Sequence, residues 1–217
     1  MNDSQDGAGD PDSFLAVPTL SGDIVTLLPL AMEHSEALAE AVAEDDLYKV
    51  WYTRLPSPEG MDRDIADRLS QHADGAKVPW VIIRNEDARP VGMTTFLNIR
   101  PDTRRLEIGS TWIAASCHGT AVNPESKLLL MRHAFETLDC IAVEFRTHWH
   151  NRRSRRAIEG LGAKQDGVLR NNDLWRDGTR RDTVVFSILD SEWPTVRLGL
   201  NERLARFGRQ GSSSDGS

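Results

Sequence analysis

The sequence predicts an α/β fold in which helices flank a mixed, mostly antiparallel central sheet of about seven strands. Segments that alternate like half-buried strands follow one another in hairpin order in the first half of the chain, and two more form a hairpin near its end. Between them lies a unit of strand, loop, helix and strand, which makes the sheet mixed. The length of 217 residues suits one domain with a substantial core.

The predicted elements follow from apolar spacing and from the turn residues between them. The strands span residues 24–30, 80–84, 91–99, 106–113, 141–147, 164–170 and 181–189. The helices span residues 33–43, 61–73, 124–138, 152–161 and 195–207.

Four segments are expected along the chain. Residues 1–18 are rich in Asp, Gly and Ser and predict a disordered acidic tail, whereas residues 19–190 form the folded domain. Residues 191–208 add a C-terminal helix, and residues 209–217 form a second disordered tail. That helix can pack on its own domain or on a partner, so a homodimer is left open.

Composition and charge narrow the class of protein. With 39% hydrophobic and 27% charged residues, the chain has the composition of an ordinary soluble protein. The formal charge of −7 argues against nucleic-acid binding, and no apolar run approaches the roughly 20 residues of a membrane span. Residues 1–13 lack the pattern of a secretory signal. Cys117 and Cys140 give no disulfide framework, so we expect a cytoplasmic protein.

The stretch from His118 to Leu138 is the first candidate for function. Asn123 is predicted to cap a helix, with Pro124 at its first position and Glu125 at the positive end of its dipole. Free amides at such a helix start, after a loop of small residues, favour an anion such as a phosphate. Taken alone, the loop fits a plain strand-to-helix connection with a good cap better than it fits an anion site.

The flanking segments extend this pattern. A Glu-Ile-Gly strand at residues 107–109, the loop and helix, and an Asn-x-x-Ser helix at residues 151–154 ending in Leu-Gly-Ala follow in order. In this order and spacing the chain resembles the GNAT acyltransferase superfamily, in particular its RimJ/RimL-like branch, over roughly residues 23–194. The usual loop of that superfamily is Arg/Gln-x-x-Gly-x-Gly/Ala. The sequence departs from it at three positions, which are His118, Ala121 and Asn123.

The resemblance implies an N-acetyltransferase that moves acetyl from acetyl-CoA to a primary amine by direct attack. The acceptor would be a small-molecule amine or a protein N-terminus, and no metal, nucleic acid or membrane is expected to take part. The residues implied in coenzyme binding are Trp112, Ile113, His118, Gly119, Thr120, Ala121, Val122, Asn123, Asn151, Arg153 and Ser154. The altered loop favours a rival, a non-catalytic coenzyme A-binding regulatory or interaction module. A third alternative is an unrelated α/β binding domain.

Three residues are candidates for catalysis. Acyl transfer to an amine needs a neutral nucleophile, a donor for the carbonyl oxygen and a proton for the departing thiolate. By resemblance, Glu107 would accept a proton through water and Asn151 would hold the pantetheine amide. Ser154 would serve the thiolate, because Ile158 occupies the position of the tyrosine that many members use.

Each candidate also has a structural interpretation. Glu107 can simply pair with an arginine, and Asn151 and Ser154 can cap a helix locally. The arginine candidates for that pair are Arg104, Arg105 and Arg146. Asp173 is a rival base or an ordinary turn acid.

Several other residues also have two alternative roles. One or two members of the cluster Arg152, Arg153, Arg155 and Arg156 can reach phosphates, while the rest form a solvated face. Trp51 and Tyr52 either shape a substrate site or pack between helices. His148 and His150 lack a third metal ligand nearby, and Cys117 is a reactive thiol or a buried filler. The acidic balance weakly favours cationic acceptors.

Overall fold

A computed structural model describes residues 11–175 and 177–211 as an eight-stranded sheet flanked by helices. The predicted fold class is confirmed, with one short strand more than expected. The strands are β1 Leu20–Ser21, β2 Val25–Pro29, β3 Val78–Arg84, β4 Arg89–Arg100, β5 Arg105–Ile113, β6 Ala142–His148, β7 Lys164–Leu174 and β8 Arg180–Leu189. Their order in the sheet is β1-β2-β3-β4-β5-β6-β8-β7.

Six α-helices accompany the sheet in the described part of the chain. They are α1 Pro11–Leu15, α2 Ser35–Val42, α3 Met61–Ala73, α4 Val122–Arg132, α5 Arg152–Glu159 and α6 Trp193–Gly211. None of the helices among the described residues has the length and apolar character that a membrane span requires.

The helices cover both faces of the sheet. Neighbouring residues of a strand point to opposite faces, and Thr94 and Thr95 on β4 illustrate this. The Thr94 hydroxyl accepts a hydrogen bond of 3.3 Å from Lys127 of α4, whereas the Thr95 hydroxyl accepts one of 2.9 Å from Arg68 of α3. Helices α4 and α3 therefore pack on opposite faces.

The parallel pair β5 and β6 opens after a short contact. Residues 105–107 of β5 pair with residues 142–144 of β6, and both strands then continue without pairing to each other in the described structure. A bulge in β5 adds to this divergence, since the register against β4 shifts between Gly109 and Trp112. The opening between the strands leads toward the start of α4.

The N-terminal segment is more ordered than expected between residues 11 and 18. Helix α1 inserts Phe14 into the core, where its side chain is almost fully buried. The indole Nε1 of Trp80 donates a hydrogen bond of 2.9 Å to the Pro18 carbonyl. The expected disorder of residues 1–10 and 212–217 concerns parts of the chain outside the described residues, while helix α6 continues to Gly211.

The predicted start and end of the central helix were wrong. Ala121 is the N-cap of α4, and Asn123 is its second residue and makes no capping hydrogen bond. The helix starts earlier because the Thr120 hydroxyl accepts from the Val122 amide at 3.3 Å, and because proline fits a first turn that needs no amide donor. After Arg132 the chain continues as a π-helical turn rather than as α-helix.

Glu125 fixes the first turn of α4 to the turn between β1 and β2. Its carboxylate accepts hydrogen bonds from the backbone amides of Asp23, Ile24 and Val25 at 3.1, 2.7 and 2.6 Å. Gly22 lets the carboxylate approach this closely, because a Cβ there would lie 2.5 Å from the carboxyl carbon. The contact is a long-range one, and it holds the helix start in place.

We expect the substitution Glu125→Gln to destabilise the fold. The amide group of glutamine would place donors against the three backbone donors and leave some of them unsatisfied, at a cost of about 2–4 kcal/mol. The melting temperature should fall by about 5–10 °C in a thermal melt. The control is Glu202→Gln on the exposed side of α6, which should change the melting temperature little. Equal melting temperatures for the wild type and Glu125→Gln would contradict the assigned role.

Candidate functional site

The loop before α4 presents unpartnered backbone amides. The amides of His118 and Thr120 donate to the carbonyl groups of Ala115 and Cys117, whereas those of Gly119, Ala121 and Asn123 have no protein acceptor within the described structure. Gly119 has φ of +75°, and a Cβ built there would meet no atom within 4 Å. The loop therefore combines three amides that lack a protein acceptor with open space beside Gly119, both of which favour an anion site at a helix start.

His118 links the loop to the end of β5 and to α5. Its Nε2 lies 3.2 Å from the Ile113 carbonyl oxygen, so the neutral ring carries its proton on Nε2. Burial lowers the pKa of His118, and the Arg153 guanidinium lowers it further. Trp112, next to the last residue of β5, is buried, and its Nε1 has no hydrogen-bond partner in the described structure.

Asn151 caps the start of α5, as the purely structural alternative for this residue predicts. The side-chain oxygen Oδ1 of Asn151 accepts a hydrogen bond of 3.0 Å from the Ser154 amide. The carboxamide nitrogen Nδ2 is left available to a ligand, so a cap and a ligand contact are compatible. Ser154 is half-buried, and Ile158 is buried one turn further along the helix.

The four arginines of α5 differ in their surroundings. The Arg155 guanidinium lies 4.4 Å from the centre of the Trp149 ring and donates a hydrogen bond of 3.4 Å to the Trp149 carbonyl. Arg152, Arg153 and Arg156 are all exposed, and among them Arg153 is the one whose charge acts on His118.

Glu107 lies at the point where β5 and β6 separate, and its side chain is only 8% exposed. It accepts a hydrogen bond of 2.7 Å from Asn98, and the Arg146 Nε lies 3.5 Å from the same oxygen. Burial raises the pKa of Glu107, although Arg146 and Asn98 act in the opposite direction. A buried carboxylate with a raised pKa has the properties of a general base that works near neutral pH.

The pairing predicted for Glu107 is confirmed for only one of three arginines. Arg146 pairs with it, whereas Arg105 pairs with Glu144 at 2.7 Å and Arg104 pairs with Asp139. A cavity of about 370 Å³ borders this cluster and is lined by Asn98, Ile99, Arg100, Glu144 and Arg146. There is consequently open space on the sheet face that Glu107 occupies.

Gly109 and Lys127 support the bulge in β5. A Cβ at Gly109 would lie 2.9 Å from the Glu107 carboxylate, so the glycine leaves room for that side chain. On the other face, Lys127 Nζ donates to the Thr111 hydroxyl at 2.5 Å and to the Thr94 hydroxyl at 3.3 Å. Desolvation lowers the pKa of Lys127 to about 7.

An aromatic wall faces the end of β6. The ring centre of Trp51 lies 5.1 Å from that of His148 and 5.3 Å from that of His150, and His148 also meets Trp175 at 5.5 Å. The Trp175 Nε1 donates a hydrogen bond to the Trp51 carbonyl, which joins the hairpin of β7 and β8 to residues 45–57. Trp51 thus contributes to a wall and remains 47% exposed.

Asp173, the alternative candidate for the base, forms an ion pair with an arginine. It pairs with Arg54 at 2.7 Å, and that guanidinium lies over the Trp175 ring at 4.2 Å. Asn98, Arg181 and Trp175 could not be recognised as site residues from the sequence. The alternating pattern places Asn98 and Arg181 in strands, but their partners come from distant parts of the chain and leave no local signal.

The buried Lys127 predicts a pH dependence of stability. In the folded protein it stays neutral above a pKa of about 7, whereas in the unfolded chain it is protonated below 10.5. Unfolding therefore takes up a proton between these values, and stability rises with pH across that window.

We expect the wild type to gain of order 3 kcal/mol in unfolding free energy between pH 7 and pH 9.5 from this group. Denaturant unfolding of Lys127→Met should lack that gain, since methionine does not titrate. The control Lys49→Met at an exposed position should keep it. Parallel pH profiles for the wild type and Lys127→Met would contradict a neutral buried lysine.

Comparison with known proteins identifies the family. A family model described as an acetyltransferase (GNAT) domain matches residues 25–164. A T. thermophilus protein assigned as an acetyltransferase is 34% identical, with a TM-score of 0.77 over 87% of this chain and 98% of that one. A GCN5-related N-acetyltransferase from Brucella melitensis is 24% identical, with a TM-score of 0.80 over 87% and 86% of the two chains.

RimJ from Mycobacterium smegmatis, solved in complex with CoA-disulfide, has the same fold at 21% identity and a TM-score of 0.71, covering 86% and 93% of the two chains. No curated protein matches the sequence. The superfamily that the order of motifs indicated is confirmed, because the family model covers well over half of the chain. This protein belongs to the GNAT acetyltransferase family and is an acyltransferase.

Proposed function

We propose that this enzyme transfers acetyl from acetyl-CoA to a primary amine. The observation that carries the proposal is the opening after the short pairing of β5 and β6. Glu107 lies where the two strands separate, and the chain continues from the end of β5 into the loop with the unpartnered amides of Gly119, Ala121 and Asn123. An elongated molecule with a diphosphate at one end and a thioester near the other fits such a site. RimJ binds a form of coenzyme A on the same fold, which agrees with this choice.

The residues of the loop and of α5 would hold the coenzyme. The free amides of the loop and the positive end of α4 would bind the diphosphate, with Arg153 contributing a guanidinium. The Asn151 Nδ2 would donate to a pantetheine carbonyl while its Oδ1 caps α5. The remaining contacts would come from the end of β5 and from the loop side chains, namely Trp112, Ile113, His118, Thr120 and Val122. No metal takes part in this scheme.

Glu107 would act on the acceptor. An amine attacks only when it is neutral, so a base must remove its proton before or during attack. The nitrogen forms a bond to the thioester carbonyl carbon, the carbon–sulfur bond breaks, and the proton from nitrogen passes through water to Glu107. The departing thiolate takes a proton from Ser154 or from water, which gives an amide and free coenzyme A.

The proposed setting is a reducing compartment such as the cytoplasm. Cys117 and Cys140 are free and buried, so the fold contains no disulfide among the described residues. The amine belongs either to a small molecule or to a protein N-terminus, and the enzyme is either a monomer or a homodimer.

A thermal melt with acetyl-CoA, coenzyme A and ATP tests the coenzyme site. A ligand at 100 times its dissociation constant stabilises by about 2.7 kcal/mol, which is about 5–11 °C here. We expect this shift with acetyl-CoA and coenzyme A but not with ATP. Gly119→Val should abolish it, since a branched side chain would cover the open amides.

The matched control is Gly178→Val in the turn between β7 and β8. Gly178 also has a positive φ and open space around its Cβ position, so both variants carry the same backbone strain. The control should keep the shift with acetyl-CoA. An unchanged shift in Gly119→Val would refute the loop as the diphosphate site.

A pH–rate profile with Glu107→Gln tests the base. Because the pKa of Glu107 is raised, the wild-type rate should fall as the pH drops through a value above the ordinary carboxyl pKa of 4.5. Glu107→Gln should lower kcat/KM by about 100-fold or more and lose that acidic limb. Asp173→Asn, which changes the rival base, should retain the limb. A limb that disappears only in Asp173→Asn would reverse the assignment.

A further inference from the structure

Arg181 on β8 carries a positively charged side chain that is partly buried and forms no ion pair with an acidic residue in the described structure. Its Nε is buried and has no hydrogen-bond acceptor among the described residues. Burial lowers the pKa of Arg181, and the Arg54 guanidinium lowers it further, whereas Asp173 and Glu107 act in the opposite direction. Arginine stays protonated in proteins, so an unsatisfied charged donor is left in the site.

The two carboxylates that act on Arg181 both have other partners. Asp173 pairs with Arg54 at 2.7 Å, and Glu107 is held by Asn98 and Arg146. Neither carboxylate neutralises Arg181 by direct contact in the described structure. The positive charge of Arg181 is therefore available to a ligand.

The position of Arg181 is fixed by an aromatic ring. The guanidinium lies 4.9 Å from the centre of the Trp175 ring, over which Arg54 also lies. The hydrogen bond from the Trp175 indole to the Trp51 carbonyl fixes that ring in turn. Arg181 is consequently preorganised, and it needs little ordering when a ligand binds.

Arg181 shares a sheet face with the proposed base. It lies two residues before Thr183 on β8, so both side chains point to the same face, and Thr183 pairs with His148 at the end of β6. The same face continues along β6 to Glu144, which pairs with Glu107 on β5. An acceptor molecule on this face can therefore contact Arg181 and Glu107 together.

We propose that the amine acceptor carries an anionic group, a carboxylate or a phosphate, which binds Arg181 while the amine lies at Glu107. This inference rests on the proposed acetyl transfer and specifies its acceptor. Either group can take two parallel hydrogen bonds from a guanidinium. A cationic acceptor, which the overall charge favoured, would add a positive charge beside Arg54 and Arg181.

Matched pairs of amines test the proposal in steady-state assays. An α-amino acid is compared with its carboxamide, and phosphoethanolamine with ethanolamine, so that each pair differs in the anionic group. Wild-type enzyme should show a KM about 10- to 100-fold lower for the anionic member of at least one pair. The pair that shows the preference distinguishes a carboxylate from a phosphate acceptor.

Variants of Arg181 test whether this side chain causes the preference for the anionic acceptor. Arg181→Gln should raise the KM of the anionic acceptor about 10- to 100-fold, with little change in kcat, in the KM of the neutral amine or in acetyl-CoA binding. Arg181→Lys should recover part of the loss, and Arg181→Glu should shift the preference toward a diamine. The control is Arg170→Gln on the same hairpin, where the exposed side chain pairs with Asp182.

The outcomes separate this inference from the proposed function. If acetyl-CoA binds and amines are acetylated, but neither the wild type nor Arg181→Gln distinguishes the members of a pair, the anionic acceptor is overturned. If acetyl-CoA neither binds nor is consumed with any amine, the proposed function itself fails and the inference fails with it. If Arg181→Gln does not fold, the wild-type preference and Arg181→Lys still decide.

Discussion

The short parallel pairing between β5 and β6 is the constraint on which the proposed site depends. The two strands hold together over residues 105–107 and 142–144 and then separate, which brings unpaired backbone and the Glu107 carboxylate to one opening. Continued pairing would close this space. The bulge at Gly109 and Ser110 makes the separation possible, because it changes the direction of β5 while β4 continues beside it.

Two buried ionisable residues on α4 fix the other end of the proposed site. Glu125 attaches the first turn to the backbone before β2, and Lys127 supports the bulge from the opposite face through two threonine hydroxyls. The amides at the start of α4 are therefore held in one orientation relative to the opening. In the proposed site this arrangement would compensate for the loop's departure from the usual glycine pattern, because these contacts fix the start of α4 and Gly119 leaves open space beside it.

The apolar periodicity of the sequence predicted most of the helices and strands. The features that it did not predict depend mainly on contacts between distant parts of the chain. The helix at residues 61–73 was predicted at its observed bounds, since its apolar spacing is contained within the segment itself. The burial of Phe14, the early start of α4 and the position of Arg181 depend on distant partners or on one hydroxyl group. Glu107 could be singled out from its place in the motif order, but its pairing with Arg146 could be read only from the structure.

The net charge of the chain and the local arrangement of charges lead to different proposals for the acceptor. The chain is acidic overall, yet Arg54 and Arg181 meet beside Trp175 on the face that Glu107 occupies. The most direct test of the account is a crystal structure of the protein with acetyl-CoA. The account predicts the diphosphate on the amides of Gly119, Ala121 and Asn123, with the thioester beside Glu107. Coenzyme bound outside the opening between β5 and β6 would contradict it.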